Sequence, residues 1–78
     1  MNVKYIRTSD NAIIVFPEFI NHDTFRHLKP KSAGFIAIGS NGKNEPIIEC
    51  YGKSISLDME SDPRDTDLAR SQILGYEY

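Results

Sequence analysis

Two short apolar runs, Ala12-Ile13-Ile14-Val15-Phe16 and Ala33-Gly34-Phe35-Ile36-Ala37-Ile38-Gly39, constrain this chain more than any other feature. Both are strand-length, and the first is β-branched enough to be a strand covered on both faces. In the second, Phe35 and Ala37 point one way and Ile36 and Ile38 the other. Val3–Arg7 reads as a further strand, with Val3 and Tyr5 on one face and Lys4 and Ile6 on the other. Between it and the first run, Thr8-Ser9-Asp10-Asn11 offers side chains that bond their own backbone. An N-terminal β-hairpin closed by Pro17 follows.

The remaining segments extend this frame. Asn21 is a good N-cap for a short helix, Asp23 suits its first turn, and Ile20 with Phe25 matches a hydrophobic staple. Pro30 disfavours helical geometry at Lys29, which limits that helix to about two turns. Ser40–Pro46 is a hairpin loop around Asn41-Gly42, and Ile47–Tyr51 returns as a strand. Ser54–Met59 alternates, with Ile55, Leu57 and Met59 expected inward and Ser54, Ser56 and Asp58 outward. A last helix starts near Ser61 or Asp62. Pro63 suits its first turn, and Asp65 stands where a capping carboxylate reaches back. Ala69, Ile73 and Tyr76 form its apolar stripe with Leu68 at the edge, and Gly75 ends it. The order β-β-α-β-β-β-α predicts an α+β domain. It is a small, partly rolled antiparallel sheet of about five strands, with one short helix and a C-terminal helix.

A chain of 78 residues has room for one core, so residues 1–78 are expected to form a single globular domain. Cys50 is the only cysteine, which excludes a disulfide within the monomer. One cysteine and two histidines do not make a zinc site without carboxylates. The lone cysteine and the lack of an apolar leader at the N-terminus imply a reducing, cytoplasmic setting, and no apolar run approaches the length of a membrane span. Net charge is −2 but uneven. Residues 1–31 carry five Lys/Arg against three Asp/Glu, and residues 54–78 carry two against six. That balance gives no general support to nucleic-acid binding.

The stretch DMESDPRDTD, residues 58–67, holds five carboxylates. Asp58, Glu60 and Asp62 have the spacing that opens an EF-hand loop, but Pro63 replaces its turning glycine and Ala69 its bidentate glutamate. Helix-start chemistry explains the stretch better, leaving Asp58, Glu60, Asp62, Asp65 and Asp67 as an acidic patch for a basic protein partner. No metal, cofactor or catalytic set is expected. His22 and His27 are five apart, off the spacing of one helix face, and read as solvated. Cys50 sits among apolar neighbours with no base, a buried thiol rather than a nucleophile. GSNGKNEP lacks the lysine placement and following helix of a phosphate loop. Lys4, Arg7, Arg26, Lys29 and Lys31 form the alternative candidate, a basic nucleic-acid face on which Tyr5 and Phe25 would stack bases unless they are core.

The segments SAGF (Ser32–Phe35), CYGKSISL (Cys50–Leu57) and SDPRDTDL (Ser61–Leu68), with the opening YIRT and IIVFP, resemble a family of small proteins encoded by bacteriophages and prophages. The resemblance implies a bacterial cytoplasm and a role in binding or modulating a host or phage component, and it carries over no functional residues. The expected function is therefore a non-enzymatic interaction protein. Its partner would be another protein or a second copy, met through the acidic region or an exposed sheet edge.

Overall fold

A computed structural model describes residues 2–75. Strands β1 (Asn2–Arg7), β2 (Ile13–Phe16), β3 (Ser32–Ser40) and β4 (Pro46–Tyr51) form an antiparallel sheet in the order β2-β1-β3-β4. A 3-10 helix, His22–Leu28, broken at Phe25, joins β2 to β3. Strands β5 (Lys53–Ser54) and β6 (Met59–Glu60) make a separate two-stranded ribbon, and helix α1 spans Arg64–Leu74. The α+β class is as the sequence predicts.

Strand parity decides the layers. Val3, Tyr5, Ile36, Ile38, Ile48 and Cys50 share the sheet face that packs against Ala69 and Leu74 of α1. Ile6, Phe16 and Ala33 share the other face. There they meet Ile20, Phe25 and Leu28 from the 3-10 helix region, and Leu57 and Met59 from the ribbon. Ile20 and Phe25 thus reach one cluster, as the staple requires. Each fully buried aliphatic side chain in these layers contributes about 1.5–3 kcal/mol.

The segment Ser54–Met59 departs from its expected strand. Ser54 is buried, its hydroxyl accepts the Leu57 N–H at 3.2 Å, and the Asp58 N–H reaches the Ile55 carbonyl at 3.2 Å. Asp58 adopts a positive φ of 54°. A serine hydroxyl that satisfies a local N–H competes with strand pairing, so residues 55–58 form the turn of a ribbon. Ile55, expected inward, stands at the tip and is 88% exposed.

Helix α1 starts as its sequence suggests. Asp62 Oδ1 accepts the Arg64 N–H at 2.9 Å, and the Asp62 N–H donates to Asp65 Oδ2 at 3.0 Å, the reciprocal logic of a capping box. Gly75 closes the helix with φ 74°, its N–H bonded to the Ser71 carbonyl. Tyr76, expected on the apolar stripe, lies outside the described residues, and Ile73 of that stripe is 41% exposed.

The helix also engages both edges of the sheet. Gln72 accepts the Ile13 N–H at 2.7 Å and donates to the Asn11 carbonyl at 2.6 Å, mimicking a further strand beside β2. Thr66 Oγ1 accepts the Cys50 N–H of β4 at 3.0 Å. Of the two surfaces expected to meet a partner, the sheet edge is thus partly occupied by the chain itself.

Candidate functional site

The densest polar cluster lies between the sheet and α1. Tyr5 and Arg7 share a face of β1, and Ser32 lies opposite Arg7 on β3. All three side chains converge on Asp65, which is wholly buried. The Tyr5 hydroxyl donates to Oδ2 at 2.5 Å, the Ser32 hydroxyl to Oδ2 at 2.6 Å, and Arg7 Nε to Oδ1 at 2.8 Å. With the Asp62 N–H, the carboxylate has four donors, as a buried charge requires. Burial, and then the hydrogen bond to Asp65, drive the Tyr5 phenol far above its ordinary value, so it stays a donor. Among the described residues no buried side-chain nitrogen or oxygen lacks a partner. The cluster ties β1, β3 and α1 together.

This geometry redistributes the two charged patches anticipated from sequence. Asp65 is interior, not part of an acidic surface, because the same carboxylate that caps the helix also receives Arg7 from the sheet. Asp62 is half-buried beside Arg64. The Arg64 N–H, then the charges of Arg64 and Arg7, hold its carboxyl below the ordinary range. Asp58, Glu60 and Asp67 remain exposed. On the basic side, Lys4 and Arg7 point to opposite faces of β1, and Arg7 is buried. Arg26 is held by Asp23 at 2.6 Å and by the Ser56 carbonyl at 2.8 Å, while Lys29 and Lys31 are exposed. These five cations do not share a face. Tyr5 and Phe25 are core, Phe25 lying 4.5 Å from the Phe16 ring.

The surface that the structure leaves open was not singled out from sequence. The ribbon and the 3-10 helix pack over Ile6, Phe16 and Ala33, and so over β1, β2 and one end of β3. Over β3 and β4 a groove of about 630 Å³ remains, floored by Phe35 and Tyr51 and bordered by Lys4, His22, Lys53 and Ile55. The Phe35 and Tyr51 rings stack at 5.9 Å and 27°, and His22 meets the Phe35 edge at 5.9 Å. Tyr51 is 44% exposed, and Ile47 lies on the same face of β4. Gly52, with φ 77°, lets the backbone pass against the Phe35 ring; a Cβ there would lie 3.2 Å from it. One sequence signal pointed here: the parity of β4 puts Ile47 and Tyr51 opposite the buried Ile48.

His22 is buried rather than solvated. Its Nε2–H donates to the Gly34 carbonyl at 2.8 Å while Phe16 and Phe35 flank the ring. Burial pulls its pKa below the ordinary 6.5, opposed by the Gly34 carbonyl and aided by the charge of Lys4. The unfolded chain therefore takes up the proton first as pH falls. Stability is full above about pH 6.5 and declines as pH descends through the folded value, by at most about 1.4 kcal/mol per pH unit. Urea unfolding between pH 7.5 and 5 should show this decline, and His22→Gln should flatten it. An unchanged slope in the variant would assign the effect elsewhere.

Cys50 is half-buried, and burial followed by the charge of Asp65 pushes its thiol up to about 11. That suppresses the thiolate a nucleophile needs. Among the described residues no three His, Cys, Asp or Glu side chains gather as a metal would require, and no helix is long and apolar enough to cross a membrane. Comparison with protein-family models, curated proteins and solved structures finds no match to this chain.

Proposed function

We propose that this chain is a non-catalytic protein-interaction module, cytoplasmic and of phage or prophage type, that docks its partner in the groove lined by Phe35 and Tyr51. The observation that carries the reading is the stacked Phe35–Tyr51 pair lining a groove beside the exposed Ile55. Aromatic side chains presented in a concave apolar surface are the usual anchors of protein interfaces. The buried polar cluster and the raised Cys50 thiol support a non-enzymatic role, since both are chemically closed. A nucleic-acid module finds less support, because Lys4 and Arg7 diverge and Arg26 is already bonded.

The test is affinity capture from bacterial lysate, with and without nuclease, using the wild-type chain and Ile55→Asp and Tyr51→Asp variants of equal thermal stability. Proteins that survive nuclease and vanish with both variants are the expected result. Capture that is indifferent to both substitutions would remove the groove from the function. Capture lost only on nuclease treatment would favour nucleic acid. Gel filtration of the same samples identifies a second copy as the partner if a wild-type dimer dissociates in Tyr51→Asp.

A further inference from the structure

Resting on the docking reading above, we infer that the groove takes an acidic peptide segment carrying an apolar anchor. The anchor lies against Phe35, Tyr51 and Ile55, and the carboxylates face Lys4 and Lys53. The charge pattern carries the argument. The chain is net negative, at −2, yet among the described residues both charged groups lining this groove are lysines and no carboxylate lines it. The local sign is therefore opposite to that of the molecule as a whole, and complementary charge selects partners and orients them.

The two ammonium groups are placed differently. Lys4 projects from β1 on the groove face, and its Nζ donates to the Ile20 carbonyl at 3.0 Å. That bond uses one of three donors and holds the amine at the wall, with two donors remaining for a ligand carboxylate. Lys53 is exposed at the start of the ribbon, beside the Ile55 tip. Between them lie ring surfaces, which favour an apolar side chain over a polar one. The floor is short. Glu49 shares the Tyr51 face of β4, and Glu60 stands opposite Lys53 across the ribbon. A polyphosphate running on along β4 would meet Glu49 as well as Glu60, whereas a short acidic segment around one anchor meets Glu60 alone, beside Lys53. This favours peptide over nucleic acid.

The test is titration of the uniformly 15N-labelled full chain with blocked peptides at millimolar concentration, followed by amide shifts. The probes are the hexapeptides DELFDE, SSLFSS and KKLFKK and a ten-base oligothymidylate. The expected result is saturable shifts at Phe35, Tyr51, Gly52, Lys53 and Ile55 with DELFDE. Its binding should be roughly three- to tenfold tighter than that of SSLFSS at low salt, with the margin shrinking as salt is added. Lys53→Glu, an exposed change, should erase or invert the order of DELFDE and KKLFKK. Equal binding of the three peptides overturns the acidic-partner inference but leaves the groove as a docking surface. Groove shifts that favour the oligothymidylate over DELFDE replace the peptide with nucleic acid. No groove shift with any probe also overturns the inference, and the capture experiment then decides the docking reading separately.

Discussion

Asp65→Ala will destabilise the chain by about 3–5 kcal/mol, the usual cost of removing one partner from a buried ion pair. The substitution leaves Arg7 without its closest counter-charge and strands two hydroxyl donors, Tyr5 and Ser32, all in the interior. It also frees the Asp62 N–H at the start of α1. A domain of 78 residues has only about 4–12 kcal/mol of stability in total, so a large part of it goes with one side chain. Urea unfolding followed by circular dichroism measures the loss, and a change below about 1 kcal/mol would show that the cluster is incidental. The double substitution Arg7→Met with Asp65→Leu should recover part of the loss, because the penalty comes from stranded polar groups rather than from a net gain of the pair itself.

Gly34→Ala is the second large effect expected. A Cβ at this position would lie 2.4 Å from the Tyr51 carbonyl oxygen and 3.3 Å from the Gly52 carbonyl group. These are backbone atoms, so the clash is relieved only by moving β3 away from the end of β4. Overpacking of this kind costs about 1–3 kcal/mol, and here the displaced segment is the wall of the groove. Gly34→Ala should therefore lower the unfolding midpoint and shift the Tyr51, Gly52 and Lys53 amides together. Gly39→Ala is the control, because no atom of the described residues lies within 4 Å of its added Cβ. Equal effects at the two glycines would refute the close approach of β3 and the Tyr51–Gly52 turn.

Local chemistry was the readable part of this sequence. The strand parity of Val3–Arg7, the staple of Ile20 with Phe25, the capping of α1 and its glycine end all follow from residues a few positions apart. What failed to read depends on distant partners. Asp65 was legible as a capping carboxylate. Its burial requires Tyr5 and Arg7, which are 60 and 58 positions away. His22 looks solvated until the Gly34 carbonyl and two phenylalanine rings enclose it. The Ser54–Met59 alternation satisfied the strand pattern, but the Ser54 hydroxyl turned the chain instead. The groove was hidden for a related reason. Which part of a sheet face stays uncovered depends on where the ribbon lands, and no spacing records that. The divergence of Lys4 and Arg7, by contrast, was already implied by their odd separation along β1.

The clamp of α1 on the two sheet borders has a consequence for how this protein goes wrong. Gln72 and Thr66 belong to one helix, so a single detachment of that helix uncovers the margins of β2 and β4 together. Exposed strand margins template pairing with other chains, and a molecule bared on both sides can extend a stack in two directions. Helix α1 thus shields a part of each border from such pairing. Conditions that loosen it while sparing the sheet are expected to make unfolding depend on protein concentration.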